Sequence, residues 1–315
     1  MNEQRSYELA FHGKGSDYFK ISIVNTILCI LTLGLYYPWA KAKSLQFLYG
    51  NSTFEQTPFV FSGTGKEMFR GFITAVAILV GLYALLVGLV ALDQPGLGVL
   101  VFYCCFLALV PLSLHGSYRY RMSKTSWRGI RFGYSGNRKE LVVLFFKGLL
   151  LTVVTFGIYG AWFANNLRRY IVGNIRAGDA RFTFSGEGSD FFGLNLKGYI
   201  LTLLTLGVYS FWWQKDLYAF FVNNLRLEQD DEVIFFRSKA TGGGFAGLLI
   251  VNMLIVLFTL GLGYAWVVTR TMQFALENVE ASGTIVLETL EQVQPEFNNA
   301  TGDDMADLLD LGTAI

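Results

Sequence analysis

A four-fold internal repeat constrains this chain more than any other feature of its sequence. Each copy contains Thr-Leu-Gly or Thr-Phe-Gly, then a Trp five residues after the Gly and an Asn seventeen residues after it. The four copies occupy residues 30–51, 153–174, 203–224 and 257–278. Because repeats of this kind are copies of one supersecondary unit, they predict a fold assembled from that unit several times.

The apolar composition predicts that these units lie in a membrane. Hydrophobic residues make up 53% of the 315 residues, charged residues make up 16%, and the mean hydropathy is +0.42. Residues 71–92 and 97–116 contain no Asp, Glu, Lys or Arg. A membrane span needs about 20 apolar residues, so these two runs predict a transmembrane hairpin that turns at residues 93–96. The polar N-terminus has no apolar core of a signal peptide, so we expect no cleaved leader.

Charge and cysteine usage argue against several other classes of function. The net charge of +1 argues against a nucleic-acid partner. The three cysteines, Cys29, Cys104 and Cys105, all lie in apolar segments and are expected to pack as small hydrophobic residues. The sequence shows no Cys/His metal spacing, no phosphate-binding loop and no paired catalytic residues. We therefore expect neither an enzyme nor a bound cofactor or metal.

The repeats and apolar runs divide the chain into five predicted helix pairs. These pairs, at residues 17–50, 66–122, 138–173, 190–225 and 242–279, form a single membrane domain over residues 1–290. Strand-like segments rich in Phe, Val, Ile and Thr separate the pairs, and the acidic tail at 291–315 is predicted to be disordered. The predicted fold class is an all-α polytopic membrane protein. It consists of tandem helical hairpins with short β-segments between them, which we expect to pair into a small sheet or rim on the cytoplasmic side.

The second helix of each repeat is short and carries charge, which leaves two interpretations open. Either it completes a hairpin that crosses the membrane, giving ten helices, or it lies in the interface, leaving six or seven full spans. Lys and Arg concentrate at the strand-side ends, whereas the Thr-Leu-Gly turns and the 93–96 loop hold only Asp93. Under the positive-inside rule, this asymmetry predicts a multi-pass membrane protein with the strand side and both termini in the cytoplasm.

A polar residue recurs four residues after each repeat Trp. Residues four apart share one helix face, so each second helix presents Trp, a polar side chain, an aromatic ring and Asn on one side. The polar residues are Lys43, Asn166, Asp216 and Arg270. They are our candidates for a substrate path between repeats, because a charge at that depth must face water or a partner. The alternative is a structural network in which Asp216 pairs with Lys43 or Arg270.

A basic segment follows the second apolar run. It supplies our lipid-headgroup candidates, Arg119, Arg121, Lys124, Arg128 and Arg131. Each charge near an anionic membrane surface contributes about 1 kcal/mol of attraction. The alternative is that the segment acts only as a topology signal followed by a strand.

The same region carries a resemblance to a known family. The string SKTSWRGIRFGYSG at residues 123–136, together with the recurring Thr-Leu-Gly-x-Tyr-x-x-Trp pattern, resembles the YjgN family of bacterial inner-membrane proteins, a domain of unknown function. The likeness covers roughly residues 7–290, and the fifth helix pair departs most from the pattern. The resemblance implies a polytopic inner-membrane protein and supplies no substrate, reaction or site residue.

These observations together predict an inner-membrane protein that binds or passes a small solute or lipid at a site between repeats. The alternative is a non-transporting membrane scaffold, or a protein that binds anionic lipids. The expected partners are the lipid bilayer and anionic lipids in particular, and homo-oligomerisation is left open.

Overall fold

The computed structural model describes residues 5–287 and 290–292, which form five helical hairpins joined by short strands. The helices are α1 Gly15–Leu31, α2 Tyr37–Gly50, α3 Gly65–Ala91, α4 Pro95–Ser123, α5 Arg138–Val154, α6 Gly160–Gly173, α7 Gly188–Leu204, α8 Ser210–Asn223, α9 Gly242–Phe258 and α10 Tyr264–Glu277. The strands are β1 Arg5–Tyr7, β2 Leu9–Phe11, β3 Ser52–Phe54, β4 Thr57–Phe61, β5 Thr125–Trp127, β6 Ile130–Tyr134, β7 Ile175–Ala177, β8 Ala180–Phe184, β9 Leu225–Gln229, β10 Glu232–Ser238 and β11 Val279–Gly283.

The Thr-x-Gly motif forms the tip of each short hairpin. In the α5–α6 hairpin, the Gly157 N–H donates to the Thr152 carbonyl (2.8 Å), which closes the end of α5 in a Schellman-type turn. The Thr155 hydroxyl donates to the Leu151 carbonyl (2.7 Å) and accepts from the Tyr159 N–H (2.9 Å). The motif therefore reverses the chain while its own atoms satisfy the exposed backbone groups.

The eleven strands of the described chain form one antiparallel sheet. Its order is β1-β11-β10-β9-β8-β7-β6-β5-β4-β3-β2. The two edge strands, β1 and β2, are separated only by Glu8; β1 pairs with β11, and β2 pairs with β3. The sheet therefore curls until its ends meet, and it forms a nearly closed barrel at the base of the hairpins.

The all-α class predicted from the sequence is wrong. The β-segments are not isolated connectors, because each β-hairpin also pairs with the next one along the chain. The physical reason is that a two-stranded hairpin of three to seven residues is at best marginally stable alone in water. Strand pairing around the whole base of the molecule provides the missing hydrogen bonds.

The interior of the barrel is an apolar core that the chain after β11 helps to fill. Trp127, Ile234 and Ala281 from the strands pack with Ile285 and other residues of the segment at 284–292. The Tyr7 hydroxyl donates to the Ile285 carbonyl (2.5 Å). The sequence predicts a strand-like segment over residues 282–290, but β11 ends at Gly283, and Ile285, Leu287 and Leu290 beyond it join the apolar core. The predicted disordered tail lies almost entirely outside the described residues.

The helices form a ring above the barrel. Each helix packs against its neighbours in sequence, and α10 packs against α1 to close the ring. At four junctions the repeat Trp lies on the glycine that begins the next hairpin, and a Cβ at that glycine would overlap the indole ring. The pairs are Trp39–Gly65, Trp162–Gly188, Trp212–Gly242 and Trp266–Gly15.

Two helices of the described chain, α3 and α4, are long and apolar enough to cross a membrane. The first helices of the other four hairpins have 17 residues, and the second helices have 14. The helices of these four hairpins are therefore shorter than the roughly 20 residues that a membrane span needs, so their lengths do not support the expectation that every hairpin crosses the membrane. The short hairpins need a separate account of how they meet a bilayer.

Candidate functional site

The structure places the four predicted path residues on four different hairpins. Lys43 and Arg270 are exposed, and the Lys43 ammonium group lies 5.8 Å from the centre of the Tyr36 ring. Asp216 forms an ion pair with its neighbour Lys215 (2.5 Å), and not with Lys43 or Arg270 as the structural alternative predicted. No hydrogen bond or ion pair within the described chain joins any of the four to another. A shared solute path stays a prediction.

Asn166 is the one predicted residue that lines a cavity described in the structure. This cavity is a groove of about 770 Å³ between α5 and α6, open along one side. Lys139, Val143 and Lys147 are spaced four residues apart, so they lie along one face of α5. Tyr159, Phe163, Asn166 and Tyr170 form the facing wall from α6. The groove belongs to a single hairpin and is not an interface between repeats.

The end of the groove nearest the sheet is rich in cationic groups and hydrogen-bond donors. Lys139 and Arg169 lie at this end, and Arg169 donates to the Gly186 carbonyl (2.6 Å); Lys147 lies two helical turns farther along α5, toward the hairpin tip. Neither lysine has an ion-pair partner among the residues that the structure describes. The lining residues thus include three cationic groups, Lys139, Lys147 and Arg169, and one carboxylate, Glu140, and this excess of positive charge favours an anionic ligand.

Tyr170 adds a phenol at the same end. Its hydroxyl accepts from the Asn137 N–H (2.7 Å), donates to the Asn137 carbonyl (2.8 Å) and lies 3.4 Å from the Glu140 carboxylate. Burial raises the pKa of Tyr170 above its usual value; the hydrogen bond from Asn137 opposes that rise and the Glu140 carboxylate adds to it. The phenol therefore stays protonated at neutral pH, and its proton is held by the Asn137 carbonyl at the start of α5.

The opposite end of the groove is apolar because of a glycine. The Phe163 ring lies against Gly148, where a Cβ would overlap it. This close approach brings α5 and α6 together beneath Leu144, Phe163 and Tyr159. The groove therefore combines a cationic end near the sheet with an aromatic and aliphatic end toward the hairpin tip.

The five lipid-headgroup candidates fall into two separate groups. Arg119, Arg121 and Lys124 lie at the end of α4, where Lys124 is paired with Glu67 (2.7 Å). Arg128 and Arg131 lie on the β5–β6 hairpin, and the Arg128 guanidinium stacks over Trp127 at 4.6 Å. The strand β5 lies between the two groups along the chain, and binding of a lipid headgroup by these five residues stays a prediction.

The sequence analysis missed Lys139, Lys147 and Arg169 as site residues. A signal was present, since Lys-Gly recurs at the same position of two helices, as Lys147-Gly148 in α5 and Lys197-Gly198 in α7. The glycine of each pair receives an aromatic ring from the second helix of its hairpin, Phe163 or Trp213. Recognising the groove required knowing which residues of the two helices face each other.

Comparison with known proteins shows similarity to bacterial inner-membrane proteins. The sequence model of a family described as "Bacterial protein of unknown function (DUF898)" matches residues 6–185, 179–231 and 222–308. A Salmonella typhimurium (strain LT2) protein named inner membrane protein YjgN is 28% identical over 174 residues, which is 51% of this chain and 43% of the relative. Escherichia coli O157:H7 and K12 proteins of the same name are 32% and 31% identical over 149 residues, 47% of this chain and 36% of each relative.

The chain thus spans less than half the length of these curated relatives. No solved structure matches it.

Proposed function

The chain belongs to the DUF898 family of bacterial proteins and is an inner-membrane protein, and from this premise we propose that it binds an anionic amphiphile in the α5–α6 groove. The ligand class is a phospholipid-like molecule, with a phosphate at one end and an acyl chain at the other. One observation carries the proposal: Lys139 and Lys147, without ion-pair partners in the described chain, share a groove of about 770 Å³ with an apolar wall.

The chemistry of the groove matches the two ends of such a ligand. In this proposal the phosphate lies near Lys139 and Arg169, whose cationic groups are hydrogen-bond donors at neutral pH. The acyl chain lies along Leu144, Phe163 and Tyr159 toward the hairpin tip. The volume falls in the range of roughly 300–1,000 Å³ that is typical of small-molecule sites.

The charge distribution supports an orientation for this site. Lys and Arg are concentrated at the sheet side, whereas the hairpin tips hold only Asp93. Under the positive-inside rule, the sheet and the base of the groove face the cytoplasm. The ligand is therefore drawn from the cytoplasmic leaflet, where anionic headgroups attract basic side chains.

The test reconstitutes the protein with a mixture of phosphatidylglycerol and phosphatidylcholine and purifies it. Native mass spectrometry then measures how much of each lipid stays bound. The groove variant carries Lys139→Gln and Lys147→Gln. At about 1 kcal/mol per charge, the two changes weaken phosphatidylglycerol binding roughly 30-fold.

The matched control carries Lys66→Gln and Lys197→Gln. These lysines occupy the same helical positions, in α3 and α7, as Lys139 and Lys147 in α5, and all four are exposed. We expect the control to retain phosphatidylglycerol like the unmodified protein. An equal loss in both variants, or equal retention of phosphatidylcholine by the unmodified protein, contradicts a specific anionic site in the groove.

A further inference from the structure

The tips of the four short hairpins each expose an apolar side chain almost completely. The exposed fractions are 94% for Leu33, 97% for Phe156, 95% for Leu206 and 92% for Leu260. These four residues also have positive φ angles of 51° or 52°, a conformation that costs a non-glycine residue of order 1–3 kcal/mol. Large apolar side chains held in this strained position point to an apolar environment at the tips.

The backbone of the tips needs no water. At the α7–α8 tip, the Gly207 N–H donates to the Thr202 carbonyl (2.8 Å), the Val208 N–H donates to the Thr205 carbonyl (3.1 Å), and the Tyr209 N–H donates to the Thr205 hydroxyl (2.9 Å). The other short hairpins repeat this pattern. Internal satisfaction of these backbone donors suits the hydrocarbon region of a bilayer, where no water is present to pair with them.

A ring of exposed cations marks a second level on the same hairpins. Lys43, Lys147, Lys197 and Arg270 are all exposed, one on each short hairpin. Each lies nine or ten residues from the apolar tip residue of its own hairpin. Six or seven of these residues are helical, so at 1.5 Å per residue each cation lies about 10 Å from the tip end of its helix, within half of a hydrocarbon core that is roughly 30 Å thick.

The α3–α4 hairpin shows a different distance between its charged levels. On α3, Arg70 is followed by 22 residues without charge, and Asp93 then lies in the turn. This stretch is about 33 Å long, enough for a complete hydrocarbon core. This length is about three times the distance that separates the cation from the tip end of the helix in the short hairpins.

We propose that the four short hairpins insert into one leaflet only, with their tips among acyl-chain ends near the bilayer midplane, while α3 and α4 cross the whole bilayer. Lys43, Lys147, Lys197 and Arg270 then lie at the headgroup level of the leaflet that adjoins the sheet. The partner of this surface is the acyl region of a single leaflet. The proposal does not depend on occupancy of the α5–α6 groove.

The test uses single cysteines in a background in which Cys29, Cys104 and Cys105 are replaced by alanine. Cysteine replaces Leu33, Phe156, Leu206 or Leu260 at a short tip, Gln94 at the long tip, or Ser126 on the sheet side. A membrane-impermeant maleimide is applied to each face of oriented vesicles in turn, and denaturation in detergent shows that every cysteine is reactive. We expect Q94C to react from the face opposite S126C, and the four short tips to react from neither face.

A second measurement shows what surrounds the protected tips. A nitroxide attached to each tip cysteine before reconstitution is expected to collide freely with oxygen, which concentrates at the midplane, and hardly at all with a water-soluble nickel chelate. Labelling of the short tips from the same face as Q94C overturns the proposal, because it means that all hairpins cross. Tips shielded from oxygen as well as nickel also overturn it, because they are then buried against protein.

Discussion

The α3–α4 hairpin and the four short hairpins are equivalent units of one closed ring, yet they differ in length and in the chemistry of their tips. The long hairpin has helices of 27 and 29 residues and turns through Asp93 and Gln94. The short hairpins have helices of 17 and 14 residues and turn through apolar residues such as Phe156. Hairpins that pack in the same way can therefore insert to two depths in the membrane. The length of the helices and the polarity of the tip determine the depth.

The junctions of the ring differ in the same way. Four of the odd-numbered helices begin with a glycine that receives a Trp from the preceding hairpin, whereas α5, which follows the long hairpin, begins at Arg138. There α4 instead packs beneath the sheet-side aromatic residues, with His115 and Tyr118 against Tyr134. The long hairpin is thus joined to the next one by an aromatic contact and not by a Trp–Gly contact, and the ring of helices is still closed.

The largest expected effect comes from placing a charge at a short tip. Leu206→Asp puts a carboxylate near the bilayer centre, which costs about 3 kcal/mol and is expected to lower the yield of folded, inserted protein sharply. Gln94→Asp is the control, because the long tip already carries Asp93 in water. Equal yields of the two variants, measured by membrane fractionation, would mean that the two kinds of tip share one environment.

A smaller effect is expected at the Trp–Gly junctions. Gly188→Ala places a Cβ inside the Trp162 ring, and this overpacking is expected to destabilise the protein by about 1–3 kcal/mol. Gly193→Ala, on the same helix with open space around it, is expected to stabilise by about 0.5–1 kcal/mol. The stability of the two variants is compared by thermal unfolding in nanodiscs. A Gly188→Ala variant as stable as Gly193→Ala would contradict the close contact between Trp162 and Gly188.

The smallest effect concerns the polar stripe of the short hairpins. Asp216 pairs with Lys215, so Asp216→Asn is expected to cost less than about 1 kcal/mol. Double-mutant cycles measured by thermal unfolding identify the partner of Asp216. We expect a coupling free energy between Asp216→Asn and Lys215→Gln, and none between Asp216→Asn and Lys43→Gln. Coupling to Lys43 alone would restore the inter-repeat pairing that the sequence suggested.

Repeat units were readable from the sequence because their signals are local. Thr32, Gly34 and Trp39 recur at fixed spacing in every copy, and the structure places each such triplet at a hairpin tip. Length carried information as well: the 22 uncharged residues after Arg70 separate the long hairpin from the others. The family was also recognisable, since the resemblance to YjgN proteins is confirmed by relatives of that name.

The closed sheet and the groove could not be read from the sequence because they depend on long-range pairing. A strand such as β5, with three residues, carries almost no periodic signal, and its partners β4 and β6 belong to different hairpins. Trp127 is buried by strands and by Ile285, which is more than 150 residues away in the chain. Likewise, only the packing of Phe163 on Gly148 places Lys147 and Arg169 around one cavity.

The most direct test of two insertion depths is the position of the tips relative to the bilayer in an electron cryomicroscopy map of the protein in lipid nanodiscs. The account predicts that Leu33, Phe156, Leu206 and Leu260 end near the low-density midplane, with the Asp93 turn at the far headgroup layer. Tips of all five hairpins at the same far surface, or short tips packed against a second copy of the chain, would contradict it.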